Sequence, residues 1–147
     1  MGDGRIWLLA AGWMSVAASL LHLACIAGGP DWYRFLGAGE GMARAAERGL
    51  WAPALMTMTI ALIIAGWAAF AFSAAGILPR LPLLRLALVA ISAVLLLRAS
   101  AYFIHQQWRP DLSHSFMAWS SAIVLVMGLA FAIGTWKAWP ALSKGSL

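Results

Sequence analysis

The chain has 147 residues, 63% of them hydrophobic and only 10% charged, with a mean hydropathy of +0.85. Soluble domains carry about a quarter charged and about half apolar residues, so this composition departs toward a membrane protein. The single cysteine, Cys25, excludes an intrachain disulfide and a CxxC redox pair. Ten Lys and Arg residues, scattered singly, form no basic patch for nucleic acid.

Crossing ~30 Å of hydrocarbon takes ~20 apolar residues. Four such runs are present, about 6–27, 50–75, 83–104 and 115–136. Backbone groups in lipid must bond internally, so these runs are helices. The predicted fold is therefore an all-α integral membrane protein, one domain built as a four-helix transmembrane bundle.

In the first run Ala11, Ser15 and Ser19 form a small-xxx-small series suited to close helix contact. Ser15, Ser19 and His22 share a stripe. The run is too long and its start too weakly charged for a cleaved signal peptide, and His22 disrupts the faint lipoprotein box at Leu23-Ala24-Cys25. Gly28-Gly29-Pro30 ends it.

The following loop holds Asp31-Trp32-Tyr33-Arg34-Phe35, with aromatic anchors and one charge of each sign, and a Gly37-Ala38-Gly39 segment that reads as a hinge. Glu40 to Arg44 is an i, i+4 pair and Arg44 to Glu47 an i, i+3 pair. These predict a short interfacial helix over Glu40–Arg48 with Met42, Ala45 and Ala46 as its apolar face. Pro53 fits the first turn of the second span, Thr57 lies in its matching third, and Gly76 and Pro79 end it.

The third span opens after Pro82 and encloses Arg98, a charge that cannot be neutralised in a protein. Arg98, Tyr102 and His105 stand at i, i+4, i+7 and form one stripe on a continuous helix. His22 and Arg98 both lie ~8–9 Å below their helix ends, at similar depth. Asp111 or Ser113 is the expected N-cap of the fourth span. There His114, Ala118, Ser121, Leu125 and Gly128 share a face, and Gly134 and Pro140 bracket the end.

Turned inward, these stripes predict a small polar chamber opening toward the outer side, capped by the first loop. Its candidate ligand-binding residues are His22, Arg98, Tyr102, His105, Asp31, Arg34 and Glu40. Arg98 has structural alternatives in snorkelling to lipid phosphate or pairing with Asp31, Glu40 or Asp111. Trp7, Trp32, Trp51, Trp108, Trp136 and Trp139 fall at span ends as an aromatic belt, while Trp13, Trp67 and Trp119 lie deeper as packing residues. The termini side holds five basic residues and the other side four, and the short Arg80–Arg85 loop favours cytoplasmic termini in a bacterial inner membrane.

Chemistry is only weakly specified. Bis-histidine haem would use His22 and His105, at poorly matched depths. Zinc would draw on His22, His105 and His114 in a spacing that fits no motif. No nucleophile elbow is present, and no carboxylate lies inside a span, which counts against a proton-coupled exporter. Acid–base chemistry on a lipid-like substrate would take His22 as base and Arg98 as anion clamp. Two function classes follow: a holder of a small amphiphile such as a lipid head group or quinone, and a non-catalytic subunit of a larger membrane complex. No cofactor is assigned.

The stretch GGPDWYRFLGAGEGMARAAERG before a long apolar helix, together with LPLLRLALVAISAVLLLR in the third span, resembles small four-helix membrane proteins of bacteria and DoxX-like proteins. That resemblance implies a four-helix bundle associated with membrane redox or quinone chemistry. Only Gly39 and Glu40 match the Gly-Glu pair of the family's first loop, so no catalytic residue carries over.

Overall fold

The computed structural model describes residues 2–104 and 112–143. Helix α1 spans Gly2–Gly28, α2 Pro30–Phe35, α3 Glu40–Glu47, α4 Ala52–Ala74, α5 Leu84–Ser100 and α6 His114–Ser143, with a 3-10 turn at Ala101–Phe103. No strand occurs among the described residues. Four helices, α1, α4, α5 with its 3-10 extension, and α6, are long and apolar enough to cross a membrane. The protein is an all-α, multi-pass bundle.

The helices run up and down around a square. α1 packs against α4 on one side and α6 on the other, α5 packs against α6, and the α4–α5 side is the thinnest seam. The predicted small series faces inward: Ala11, Ser15 and Ser19 are all buried. Ser19 Oγ donates across the interface to the Ala61 carbonyl of α4 at 2.8 Å. On the other flank a Cβ on Gly134 of α6 would meet Leu8 Cγ at 2.9 Å. Without a hydrophobic force between helices in lipid, such close approach and interhelical hydrogen bonding supply the attraction.

The core stripe of α6 runs through Met117, Ser121, Met127, Gly128, Phe131 and Thr135. His114, Ala118 and Leu125, expected on the same face, are exposed. Ser121 and Gly128 of that face are buried as expected, and a Cβ on Gly128 would lie 3.1 Å from Leu95 and Leu96 of α5. Gly134 and Pro140 do not stop this helix, which continues to Ser143. Gly134 serves packing rather than termination, and Pro140, lying inside the last turn, removes only the N–H bond to the Trp136 carbonyl.

Local signals settle the helix starts. Phe116 N–H donates to Ser113 Oγ at 3.2 Å, which makes Ser113 the N-cap of α6. Pro53 sits in the first turn of α4. Of the deeper tryptophans, Trp13 and Trp119 point outward and Trp67 packs against the core.

At the termini end, helix carbonyls are satisfied by charge. Arg5 Nε donates to the Ala75 carbonyl after α4 at 3.0 Å, and Arg80 donates to the Leu142 carbonyl in the last turn of α6. Both place a cation on the negative pole of a helix dipole.

Gly134→Val should lower stability by about 1–3 kcal/mol through overpacking against Leu8. Gly66→Ala, where a Cβ meets nothing within 4 Å, should be neutral or stabilising by up to about 1 kcal/mol. Unfolding of both variants in detergent, followed by circular dichroism, checks the pair.

Candidate functional site

The loop end of the bundle is closed by a helical hairpin. Residues Pro30–Phe35, foreseen only as aromatic anchors, form α2, with Pro30 at its first turn after Gly29 at φ +71°. Tyr33 is 2% exposed and packs with Cys25 of α1 and Ala43 of α3. α3 matches the predicted interfacial helix, although its buried face centres on Ala43 rather than Ala45.

Arg34 gathers the acids of this hairpin. It contacts Asp31 Oδ1 at 3.3 Å, Glu40 Oε2 at 2.9 Å and Glu47 Oε1 at 2.6 Å, while Arg44 Nε reaches Glu40 Oε1 at 3.0 Å. The Glu40–Arg44 pair is as expected from spacing. Glu47, expected to pair with Arg44, turns to Arg34 instead. The two arginines hold the Glu40 carboxyl down at about 2, and Glu40 and Glu47 raise Arg34 above its ordinary value. The pairs are exposed, so each alone stabilises little.

Their role is to fix geometry. Ala38 N–H donates to the Tyr33 carbonyl at 2.9 Å. Gly37, at φ +73°, lies so close to Phe116 of α6 that a Cβ would stand 2.0 Å from its ring. The segment read as a hinge is a clasped turn seated on α6.

Of the other predicted site residues, those that are described differ in burial. His22 is half-buried, and its Nδ1 lies 2.7 Å from the Ala18 carbonyl. A carbonyl only accepts, so Nδ1 is the donor in this bond. Ser15, Ser19, Thr57 and Ser121 are buried as expected. Arg98 and Tyr102 are exposed rather than turned inward. The core stripe of α5 is Leu84, Leu88, Ile91, Ser92, Leu95 and Ala99, and Arg98 stands ~100° away from Ala99 around the helix. The helix also tightens to 3-10 after Ser100, which breaks the assumed stripe before Tyr102. Asp31 and Glu40, considered as ties for Arg98, are engaged by Arg34. His105 and Asp111, and with them the haem and zinc sets, lie outside the described residues.

A concave site opens instead at the termini end, between α5 and α6. A groove of about 840 Å³ is lined by Arg80, Leu83, Leu84, Arg85, Val89 and Trp139, among others. Val89 and Trp139 also border a second groove of about 480 Å³ that extends to Ser92, Thr135 and Trp136. Arg85 lies over the Trp139 ring, its guanidinium carbon 3.9 Å from the centroid. Among the described residues its buried Nε has no acceptor, and buried Thr135 Oγ1 has no partner. Leu83, on the groove wall, adopts a left-handed φ of +53°, a conformation costing an L-residue roughly 1–2 kcal/mol. Sequence reasoning passed over Arg85 because its partner lies on another helix. The available signal was an arginine just inside an apolar run with a belt tryptophan near the end of the last span.

Because Glu40 is depressed from 4.5 to about 2 in the folded hairpin, its contribution is fully present above the unfolded value. It is lost as pH falls through the folded one. Arg34→Gln should return the Glu40 midpoint toward 4.5, read by carbon NMR of its carboxyl. An unmoved midpoint would contradict the network.

No family model matches the chain, and no curated protein or solved structure matches it either.

Proposed function

We propose that this chain is a bacterial inner-membrane protein, with both termini cytoplasmic, that holds an amphiphile in the groove between α5 and α6. The observation that carries the reading is Arg85, which stacks on Trp139 at the mouth of an apolar groove with its Nε buried and unanswered among the described residues. A buried donor without an acceptor costs about 1–3 kcal/mol, and a polar ligand group at this position would supply the acceptor. Concave, mostly apolar walls with a few convergent polar groups are the ordinary form of a small-molecule site.

The ligand-holding reading thus moves from the loop end to the termini end. At the loop end the hairpin acids and Arg34 answer one another, and Arg98 and Tyr102 point outward. The cytoplasmic placement is supported by Arg5, Arg80, Arg85 and Lys137 at the termini end. The resemblance to DoxX-like proteins adds a quinone to the amphiphiles worth testing. A second reading, a subunit of a larger membrane complex, is favoured by the thin α4–α5 seam, where a partner helix would find room.

Mass spectrometry of small molecules released from the purified protein tests the first reading. The wild type should carry an amphiphile, and Val89→Trp, which fills both grooves, should lose it while keeping its helical circular dichroism. Arg98→Leu should retain it. Retention in Val89→Trp overturns the groove assignment, loss in Arg98→Leu returns the ligand to the loop end, and a stoichiometric protein partner without ligand supports the second reading.

A further inference from the structure

Resting on that ligand-holding reading, we infer that the groove selects an anionic glycerophospholipid. Its phosphate would be held at the start of α5 by Arg85 and Arg80, with its chains lying between α5 and α6. The first argument is electrostatic. The N-terminus of α5 has no side-chain cap and no acid in its first turn. Helix geometry leaves its first N–H groups without intrahelical partners, and the macrodipole makes that end positive. Two arginines stand at the same pole, where cations are unfavourable. Arg5 and Arg80 answer the opposite poles of α4 and α6 through the Ala75 and Leu142 carbonyls, but among the described residues nothing comparable offsets Arg85. An anion at the mouth resolves this.

The second argument is shape. Trp139 covers one face of the Arg85 guanidinium and leaves its planar edge as a donor fork that matches phosphate oxygens. Nε belongs to that edge and has no acceptor among the described residues. A quinone carbonyl could accept one bond from Arg85, but being neutral it would leave the cationic charge at this helix pole uncompensated.

The third argument comes from below the mouth. Thr135 is 4% exposed, its hydroxyl has no partner among the described residues, and it borders the groove. It lies one helical turn from Trp139, ~6 Å deeper, where the ester groups of a glycerolipid would pass. Val89, Leu84 and Trp136 give the chains apolar walls. A free phosphate would make no use of them.

Native mass spectrometry with equimolar phosphatidylglycerol and phosphatidylcholine of matched chains tests the assignment. The wild type should load phosphatidylglycerol in roughly ten-fold excess, the scale of one charge-assisted hydrogen bond. Arg80→Gln with Arg85→Gln should bring the two lipids to parity while lipid is still carried. Arg85→Lys, which keeps the charge, should retain part of the excess. Arg48→Gln, in the hairpin, should leave it whole. Equal loading in the wild type, or an undiminished excess in the double variant, overturns the headgroup assignment alone, as does an excess lost equally in Arg48→Gln. Displacement of phosphatidylglycerol by millimolar inorganic phosphate would show a free-anion site and overturn the lipid assignment. A wild type that carries neither lipid overturns the ligand-holding reading as well.

Discussion

The close approach of α1 to both α4 and α6 is the constraint on which the rest of the bundle depends. It is possible only because α1 presents Ala11, Ser15 and Ser19 inward and because Gly134 leaves room for Leu8. In lipid there is no apolar reward for bringing helices together, so backbone proximity and the Ser19 to Ala61 hydrogen bond supply the attraction. Once α1 is fixed between its neighbours, α5 can reach the bundle mainly through α6. That asymmetry leaves the thin α4–α5 seam, while grooves lie along α5 and α6 toward the termini end.

The two ends of the bundle handle charge in different ways. At the loop end one guanidinium, Arg34, is shared among three carboxylates and the network is nearly closed on itself. At the other end the basic side chains address helix carbonyls, and Arg85 addresses an aromatic face. Cation–π contact satisfies the face of a guanidinium and leaves its edge. A single stacked arginine can therefore be well packed and still be a donor.

Much of the architecture was legible because it is written in local terms. The four spans follow from apolar length, Ser113 from capping chemistry, and α3 from its i, i+4 charge pair. The burial of Ala11, Ser15 and Ser19 follows from a four-residue spacing of small side chains. What escaped depends on contacts between distant segments. Arg34 finds Glu40 and Glu47 at separations of 6 and 13 residues, outside any helical rule. Arg98 drew attention because it is a charge in a long apolar run, yet it faces outward. Arg85 drew none, because the tryptophan that gives it meaning belongs to the last helix. The stripe from Arg98 to Tyr102 failed for a local reason that spacing does not announce, the change from α to 3-10 winding.

The Gly37–Phe116 contact has a consequence for the order of assembly. Chains are made from the N-terminus, and segments pair as they emerge. α1 and α4 are adjacent in time as well as in space, so their interface can form early. The hairpin, although it is made directly after α1, rests on the first turns of α6, the last helix to be synthesised. Leu8, on the opposite flank of α1, waits for the same helix. The final segment therefore acts as a keystone, closing at one moment both the cap at one end of the protein and the groove at the other.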